Sequence, residues 1–240
     1  MNMRRHQQDW NELARLDPLW VICSEESQRD NLDELLESGR REVDDVIKYL
    51  EVSAADVQFS RALDFGCGVG RLTAAMTRYW TNVIGVDIAD EMISRAKRHN
   101  ADNPQCQFIL NEQSDLSCFE ENTFDFIYSN VTLQHIPQKD VIGAYLREFV
   151  RVLRPNGYML FQLPTGVPIL RRIKLRRYLY RALSLTGVSP NFLYHTLKLH
   201  PIKVVQASKE QVISWLSPGT RILDIRGEGR VDTQYLAQKL

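Results

Sequence analysis

In this 240-residue chain, the residues whose types and spacing point most directly to chemistry lie between positions 64 and 87. Asp64-Phe65-Gly66-Cys67-Gly68-Val69-Gly70 sets glycines at alternate positions, with an acid two residues before the first. Glycines in such a turn let the backbone approach a ligand closely, and a helix that follows offers N–H groups with no intrahelical partner. Asp87 closes the next apolar run, 17 residues after Gly70. A carboxylate there accepts hydrogen bonds from both hydroxyls of a ribose. The dinucleotide pattern G-x-G-x-x-G needs a third glycine at position 71, which is Arg71. Asp64 beside the turn repels a pyrophosphate but suits a ligand carrying a cationic amino group. Its plainer role is to cap the following helix.

These residues require a strand before the turn, a helix after it and a second strand ending in the acid. The sequence supplies that order. Ala62–Phe65 reads as a strand, Leu72–Trp80 as a helix and Val83–Asp87 as a buried strand. Met92–Asn100 is helical, and Gln107–Leu110 and Phe124–Ser129 are strands. Lys139–Leu153 places Val141, Ile142, Tyr145, Leu146, Phe149 and Val150 on one helical face, stopping at Arg154-Pro155-Asn156-Gly157. Tyr158–Leu163 is the fifth strand. Such alternation implies a mainly parallel sheet with right-handed crossovers. Lys209–Leu216 reads as a helix, and Arg221–Ile225 and Thr233–Ala237 as two final strands around Gly227-Glu228-Gly229.

Residues 1–55 read as a helical preface. One short helix falls within 10–24, and a second over 30–50 is interrupted at Ser38-Gly39. Trp10, Trp20 and Tyr49 are its candidate lid aromatics. The main domain covers 56–240, with a basic helical insertion at 165–207 that reads as helices over 168–186 and 192–199.

The motif set resembles the class I S-adenosylmethionine-dependent methyltransferases. The resemblance covers roughly 55–163 and the last 30 or so residues. It rests on Leu63–Gly70, on Val86-Asp87-Ile88-Ala89-Asp90-Glu91-Met92, on Phe124–Ile136 and on Leu153-Arg154-Pro155-Asn156-Gly157-Tyr158. It implies a Rossmann-like α/β fold, a seven-stranded mainly parallel sheet with helices on both faces. It also implies S-adenosylmethionine as cofactor and S-adenosylhomocysteine as product. Gly66, Cys67 and Gly68 would line the methionine part, with Asp64 near its amino group. Asp87 would hold the ribose hydroxyls, and Ile88 and Met92 would flank the adenine, although Met92 is equally a core residue by its spacing. Where the family commonly has Gly-Asp-Ala after the third strand, this chain has Asn111-Glu112-Gln113, then Ser114, so that Glu112, Gln113 and Ser114 take the adenine contact. Asn130 and Val131 would pass near the transferable methyl. His135 would sit at the substrate pocket, either taking a proton from the acceptor or bonding nearby backbone. Arg40 or Arg41, after the preface break, would close over the cofactor carboxylate.

Thirty basic and thirty acidic residues give a formal net charge of zero. That balance is uneven. Residues 1–163 carry a net of −9, whereas 164–207 carry eight basic residues and no acid. This stretch (Arg171, Arg172, Lys174, Arg176, Arg177, Arg181, Lys198 and Lys203) reads as a lid at the substrate entrance. It points to an anionic or amphiphilic acceptor, with peripheral contact to an anionic membrane through 168–186 as the second use. Nucleic acid is disfavoured, because the fourth strand ends in Ser129-Asn130-Val131-Thr132 and not in an Asn/Asp-Pro-Pro-aromatic run. Four scattered cysteines without a C-x-x-C pair, and a start with no apolar stretch, read as a cytoplasmic protein without structural zinc. The five histidines show no metal-ligand spacing. The expected activity is methyl transfer to a small or medium organic acceptor. An NAD-dependent oxidoreductase and a cofactor-binding protein without turnover are the alternatives, and the oligomeric state is left open.

Overall fold

The computed structural model describes residues 3–16, 32–167 and 175–240. Its centre is a seven-stranded sheet of order β3-β2-β1-β4-β5-β7-β6. The strands are β1 (Arg61–Phe65), β2 (Asn82–Asp87), β3 (Cys106–Leu110), β4 (Phe124–Ser129), β5 (Leu153–Gln162), β6 (Thr220–Arg226) and β7 (Gln234–Lys239). Strands β1 to β5 pair in parallel, β7 runs antiparallel to β5, and β6 runs antiparallel to β7. The Rossmann-like α/β architecture expected from the strand–helix alternation is the one observed.

Near-continuous burial of β1, β2 and β4 follows from helices covering both faces. Successive side chains divide between two cores. Leu63, Phe65, Ile127, Met159 and Phe161 pack on one face under α5 (Lys139–Val152). Ala62, Phe126, Tyr128, Tyr158 and Leu160 pack on the other, under α2 (Leu32–Ser53) and α3 (Arg71–Met76). The remaining helices are α1 (Met3–Leu16), α4 (Asp90–His99), α6 (Leu175–Leu185) and α7 (Lys209–Leu216).

Several local expectations change. Helix α2 runs unbroken through Ser38-Gly39. Ser38 Oγ donates back to the Leu35 carbonyl at 2.6 Å, and Gly39 is the crossing point with α3. A Cβ there would lie 2.7 Å from Arg71 Cγ and 2.9 Å from the Arg71 carbonyl oxygen. The glycine serves close helix approach and does not end the helix. Helix α1 begins at Met3, well before position 10, because His6, Trp10, Leu13 and Ala14 share an inward face at helical spacing. Helix α3 stops at Met76, freeing Trp80 to stack on Phe126 with centroids 4.9 Å apart. Within 192–199 only one π-type turn forms, at Phe192–Thr196. Trp20, Arg171, Arg172 and Lys174 lie outside the described residues. Tyr49 is no lid residue: its hydroxyl donates to Asp224 on β6 at 2.8 Å. Among the described residues no helix is long and apolar enough to cross a membrane.

Candidate functional site

A cleft opens at the carboxyl ends of β1, β2 and β4, where the order of the parallel strands reverses. Its floor is the glycine turn. Gly66, Gly68 and Gly70 have φ of 84°, 54° and 84°, a left-handed run that glycine adopts without strain. The Gly66 and Cys67 N–H groups both donate to the Val86 carbonyl, at 2.8 and 3.0 Å, tying the turn to β2. Asp87 then fixes the turn from the side. One carboxylate oxygen accepts from Gly68 N–H and the other from Ala89 N–H, each at 2.9 Å. Burial pushes its carboxyl above the ordinary range, while the N–H groups of Ala89, Gly68 and Ile88 pull it back. Each oxygen keeps a lone pair for a hydroxyl of a ligand.

Asp64 lies beneath the turn and does not face the cleft. It is 1% exposed and accepts from Thr73 Oγ1 at 2.7 Å on α3. Burial raises its carboxyl to about 7, a shift only partly opposed by the Thr73 hydrogen bond and by Arg71. Its side-chain hydrogen-bond partner is therefore on α3, and it is not among the residues that line the cleft.

The cation that lines the cleft is Arg71, not Arg40. Arg40 points to solvent and pairs with Glu37 at 3.1 Å. Arg71 is buried, held by Glu42 at 2.7 Å and by Ser38 Oγ at 3.3 Å, both on α2. Glu42 Oε1 also accepts from Tyr128 Oη at 2.9 Å and from Asn130 Nδ2 at 2.6 Å. One carboxylate of the preface thus fixes a cation and an amide that both line the cleft. Val131 stands at φ 56°, its N–H donating to Gln162 Oε1 at 2.8 Å.

Ile88, just before α4, and Met92, in its first turn, line the cleft. Glu112, Gln113 and Ser114 are exposed and outside its lining. Asn111 occupies that wall instead, with its side-chain amide donating to the Asp115 carbonyl at 2.8 Å. Glu112 accepts from Gln7 of α1, so it clasps the preface to the body.

His135 reaches the cleft from a 3₁₀ turn after β4. Its Nδ1 lies 3.3 Å from the Lys203 carbonyl and its Nε2 3.3 Å from Gln134 Nε2. A carbonyl only accepts, so Nδ1 carries the proton and Nε2 presents a lone pair. Trp10, expected as a lid aromatic, and His6, for which no role was expected, complete this wall. His6 and Trp10 descend from α1, Trp10 Nε1 donates to His6 Nε2 at 3.2 Å, and the Trp10 ring meets His135 edge-on at 5.4 Å. Burial lowers both imidazoles to about 4, so both are neutral at pH 7. Spacing of 6, 10, 13 and 14 on one helical face was the available signal, but nothing local says what that face covers.

The family described as a methyltransferase domain matches residues 63–161, which holds the turn, Asp87 and β4. The match falls on the stretch whose motifs resemble the class I S-adenosylmethionine-dependent methyltransferases. Over 124 residues the chain is 32% identical to a trans-aconitate 2-methyltransferase from Enterobacter sp. strain 638, covering 50% of this chain and 46% of that one. A ubiquinone biosynthesis O-methyltransferase from Xanthomonas oryzae pv. oryzae is 28% identical over 114 residues, covering 47% and 46%. The chain thus spans about half the length of the curated relatives it matches. A magnesium protoporphyrin IX methyltransferase from Synechocystis PCC 6803, solved with bound S-adenosylhomocysteine, shares the fold over the whole of both chains, with a TM-score of 0.64 and 16% identity. Around the matched stretch, α1 supplies Trp10 and His6 over the cleft and α2 the partly buried Glu42.

The donor set of the cleft fits S-adenosylmethionine. Asp87 suits the ribose hydroxyls, Ile88 and Met92 offer apolar surface to a purine, and the buried Arg71 guanidinium suits a carboxylate.

Proposed function

We propose that the chain transfers a methyl group from S-adenosylmethionine to a small or medium organic acceptor of anionic or amphiphilic character. The observation that carries this reading is one cleft with two differently built ends. The glycine turn, Asp87 and Arg71 form a nucleoside-and-amino-acid end, and His6, Trp10 and His135 form a closed aromatic end. When bound, the cofactor supplies a methyl already activated on a sulfonium sulfur.

The protein's remaining task is alignment and exclusion of water. Asp87 and the turn orient the nucleoside. Arg71, held by Glu42, takes the carboxylate, while Asn130 and Val131 border the space through which the methyl passes. Trp10 and His6 cover the aromatic end against solvent. His135 Nε2 accepts a hydrogen bond from the methyl acceptor in place of the one from Gln134 Nε2, and so orients the nucleophile. With a pKa near 4 it is a hydrogen-bond acceptor more than a proton store. The named relatives act on trans-aconitate and in ubiquinone biosynthesis, so the fold accommodates unlike acceptors.

Calorimetric titration with S-adenosylhomocysteine and NAD, followed by methyl transfer from radiolabelled S-adenosylmethionine to a panel of organic acids, phenols and amines, tests the reading. Saturable binding of S-adenosylhomocysteine but not NAD, with label in at least one acceptor, is expected. Binding of NAD alone would return the nicotinamide reading, and cofactor binding without label in any acceptor would favour a non-catalytic binder.

A further inference from the structure

A second cavity, of about 750 Å³, lies beside the cleft and is lined by Arg5, Pro137, Arg177, Arg181, Ser184, Leu185 and Lys203. Four of its lining residues are cations and none is an acid. They come from three separate stretches of chain, α1, α6 and the segment before α7, so the clustering is made by folding and not by a local charge run. We propose that this cavity is the subsite for an oxyanion, carboxylate or phosphate, carried by the methyl acceptor; this rests on the methyl-transfer reading above.

Three walls connect the cavity to the aromatic end of the cleft. Arg5 precedes His6, and Pro137 follows His135-Ile136, all three of which line the cleft. Lys203 presents its carbonyl to His135 Nδ1 at 3.3 Å and its ammonium to the Pro137 carbonyl at 3.4 Å. A molecule with its oxyanion among the cations can therefore place a second group against His135.

The charge is only partly offset from within. Asp9 of α1 pairs with Arg5 at 3.2 Å and lies 3.9 Å from Arg181. Glu12 accepts from Tyr180 Oη at 3.0 Å and lies close enough to Asp9 to act on its carboxyl. Among the described residues, the four cations of the lining outnumber the two nearby carboxylates, Asp9 and Glu12, and like charges crowded in a partly buried site favour a bound anion. The same field reaches the cleft, where Arg177 contributes to holding His6 neutral. Arginine's planar fork matches a carboxylate or phosphate in two-point contact.

The test titrates citrate and inorganic phosphate into the full chain saturated with S-adenosylhomocysteine, by calorimetry and by NMR of the His6 and His135 imidazoles. Saturable binding that weakens with added KCl and shifts both imidazole signals is expected. The double variant Arg177→Gln/Arg181→Gln should weaken it at least tenfold, and Lys203→Gln separately should do so several-fold, with unchanged affinity for S-adenosylhomocysteine. Equal anion affinity in wild type and both variants overturns the proposal. So does wild-type binding to phosphatidylserine vesicles without binding of either free anion, which would make the patch a lipid surface. Failure of the wild type to bind S-adenosylhomocysteine sinks the methyl-transfer reading instead, and the citrate titration without cofactor then judges the anion site alone.

Discussion

Glu42 on α2 and Arg71 on α3 form a partly buried ion pair at 2.7 Å at the edge of the cleft. The same carboxylate is the acceptor for Tyr128 and Asn130, so three polar groups depend on one preface residue. Removing it as Glu42→Ala leaves a buried cation and two donors without their acceptor. Breaking one side of such a pair costs about 3 kcal/mol, or a drop of roughly 6–12 °C in Tm for a chain of this size. Affinity for S-adenosylhomocysteine should fall with it, since Arg71 and Asn130 both lose their anchor. A melting curve within 2 °C of wild type, by the same order of estimate, would show that the network is not structural.

Gly39→Ala offers a test by sign. In an exposed helix interior, glycine to alanine stabilises by about 1 kcal/mol. Here the added methyl meets Arg71 Cγ at 2.7 Å and its carbonyl at 2.9 Å, backbone that cannot swing aside. The substitution should lower Tm and loosen Arg71, and a rise in Tm would show that α2 and α3 have room to separate.

The same residue shows what the sequence can and cannot disclose. Beside Ser38, Gly39 reads as a break, because a helix stop and a helix crossing both select glycine, and only the partner tells them apart. The turn at residues 66–70 and Asp87 were legible because strand, turn and acid are consecutive and their spacing is the geometry. Arg71 is the next residue after that motif, yet its anchors are Ser38 and Glu42, some thirty positions earlier, and no local rule joins them. Arg40 is only two residues from Glu42 but leaves α2 toward solvent, where Glu37 holds it. Glu112 has the acidity expected of an adenine contact but is engaged by Gln7 at the surface, and Asn111 faces inward in its stead. Trp10 was legible as a lid aromatic, but His6 was illegible for the same reason: an inward helical face is visible in sequence, but not what it covers.

Asp87→Asn separates nucleoside binding from folding. The amide keeps the shape of the side chain and one acceptor oxygen, but loses the charge that strengthens its hydrogen bonds and turns an acceptor toward the Gly68 or Ala89 N–H into a donor. Charge-assisted hydrogen bonds contribute about 1.5–3 kcal/mol each, so affinity for S-adenosylhomocysteine should fall tenfold or more by calorimetry. Unchanged affinity would move the ribose away from Asp87.

The two neutral imidazoles make the last prediction one of pH. His6 and His135 are held at about 4 against an ordinary 6.5. Between those values the unfolded chain binds protons that the folded chain refuses, so each histidine contributes stability that is present above pH 6.5 and lost as pH falls toward 4. For His6, buried under Trp10, the loss is on the order of 2–3 kcal/mol. Asp64, raised to about 7, acts in the opposite sense, since its folded carboxyl takes up a proton before the unfolded one does. The wild-type profile from pH 7 to 5 therefore mixes opposing slopes, and the variants resolve it. His6→Gln and His135→Gln remove the destabilising acid limb, so Tm of variant minus wild type should become more positive as pH falls from 7 to 4.5. His135→Ala should also lower turnover about a hundredfold while leaving affinity for S-adenosylhomocysteine intact, the loss expected of a group that orients the acceptor's nucleophile. A Tm difference that does not vary with pH would mean that the imidazoles titrate normally and that the aromatic end of the cleft is open to water.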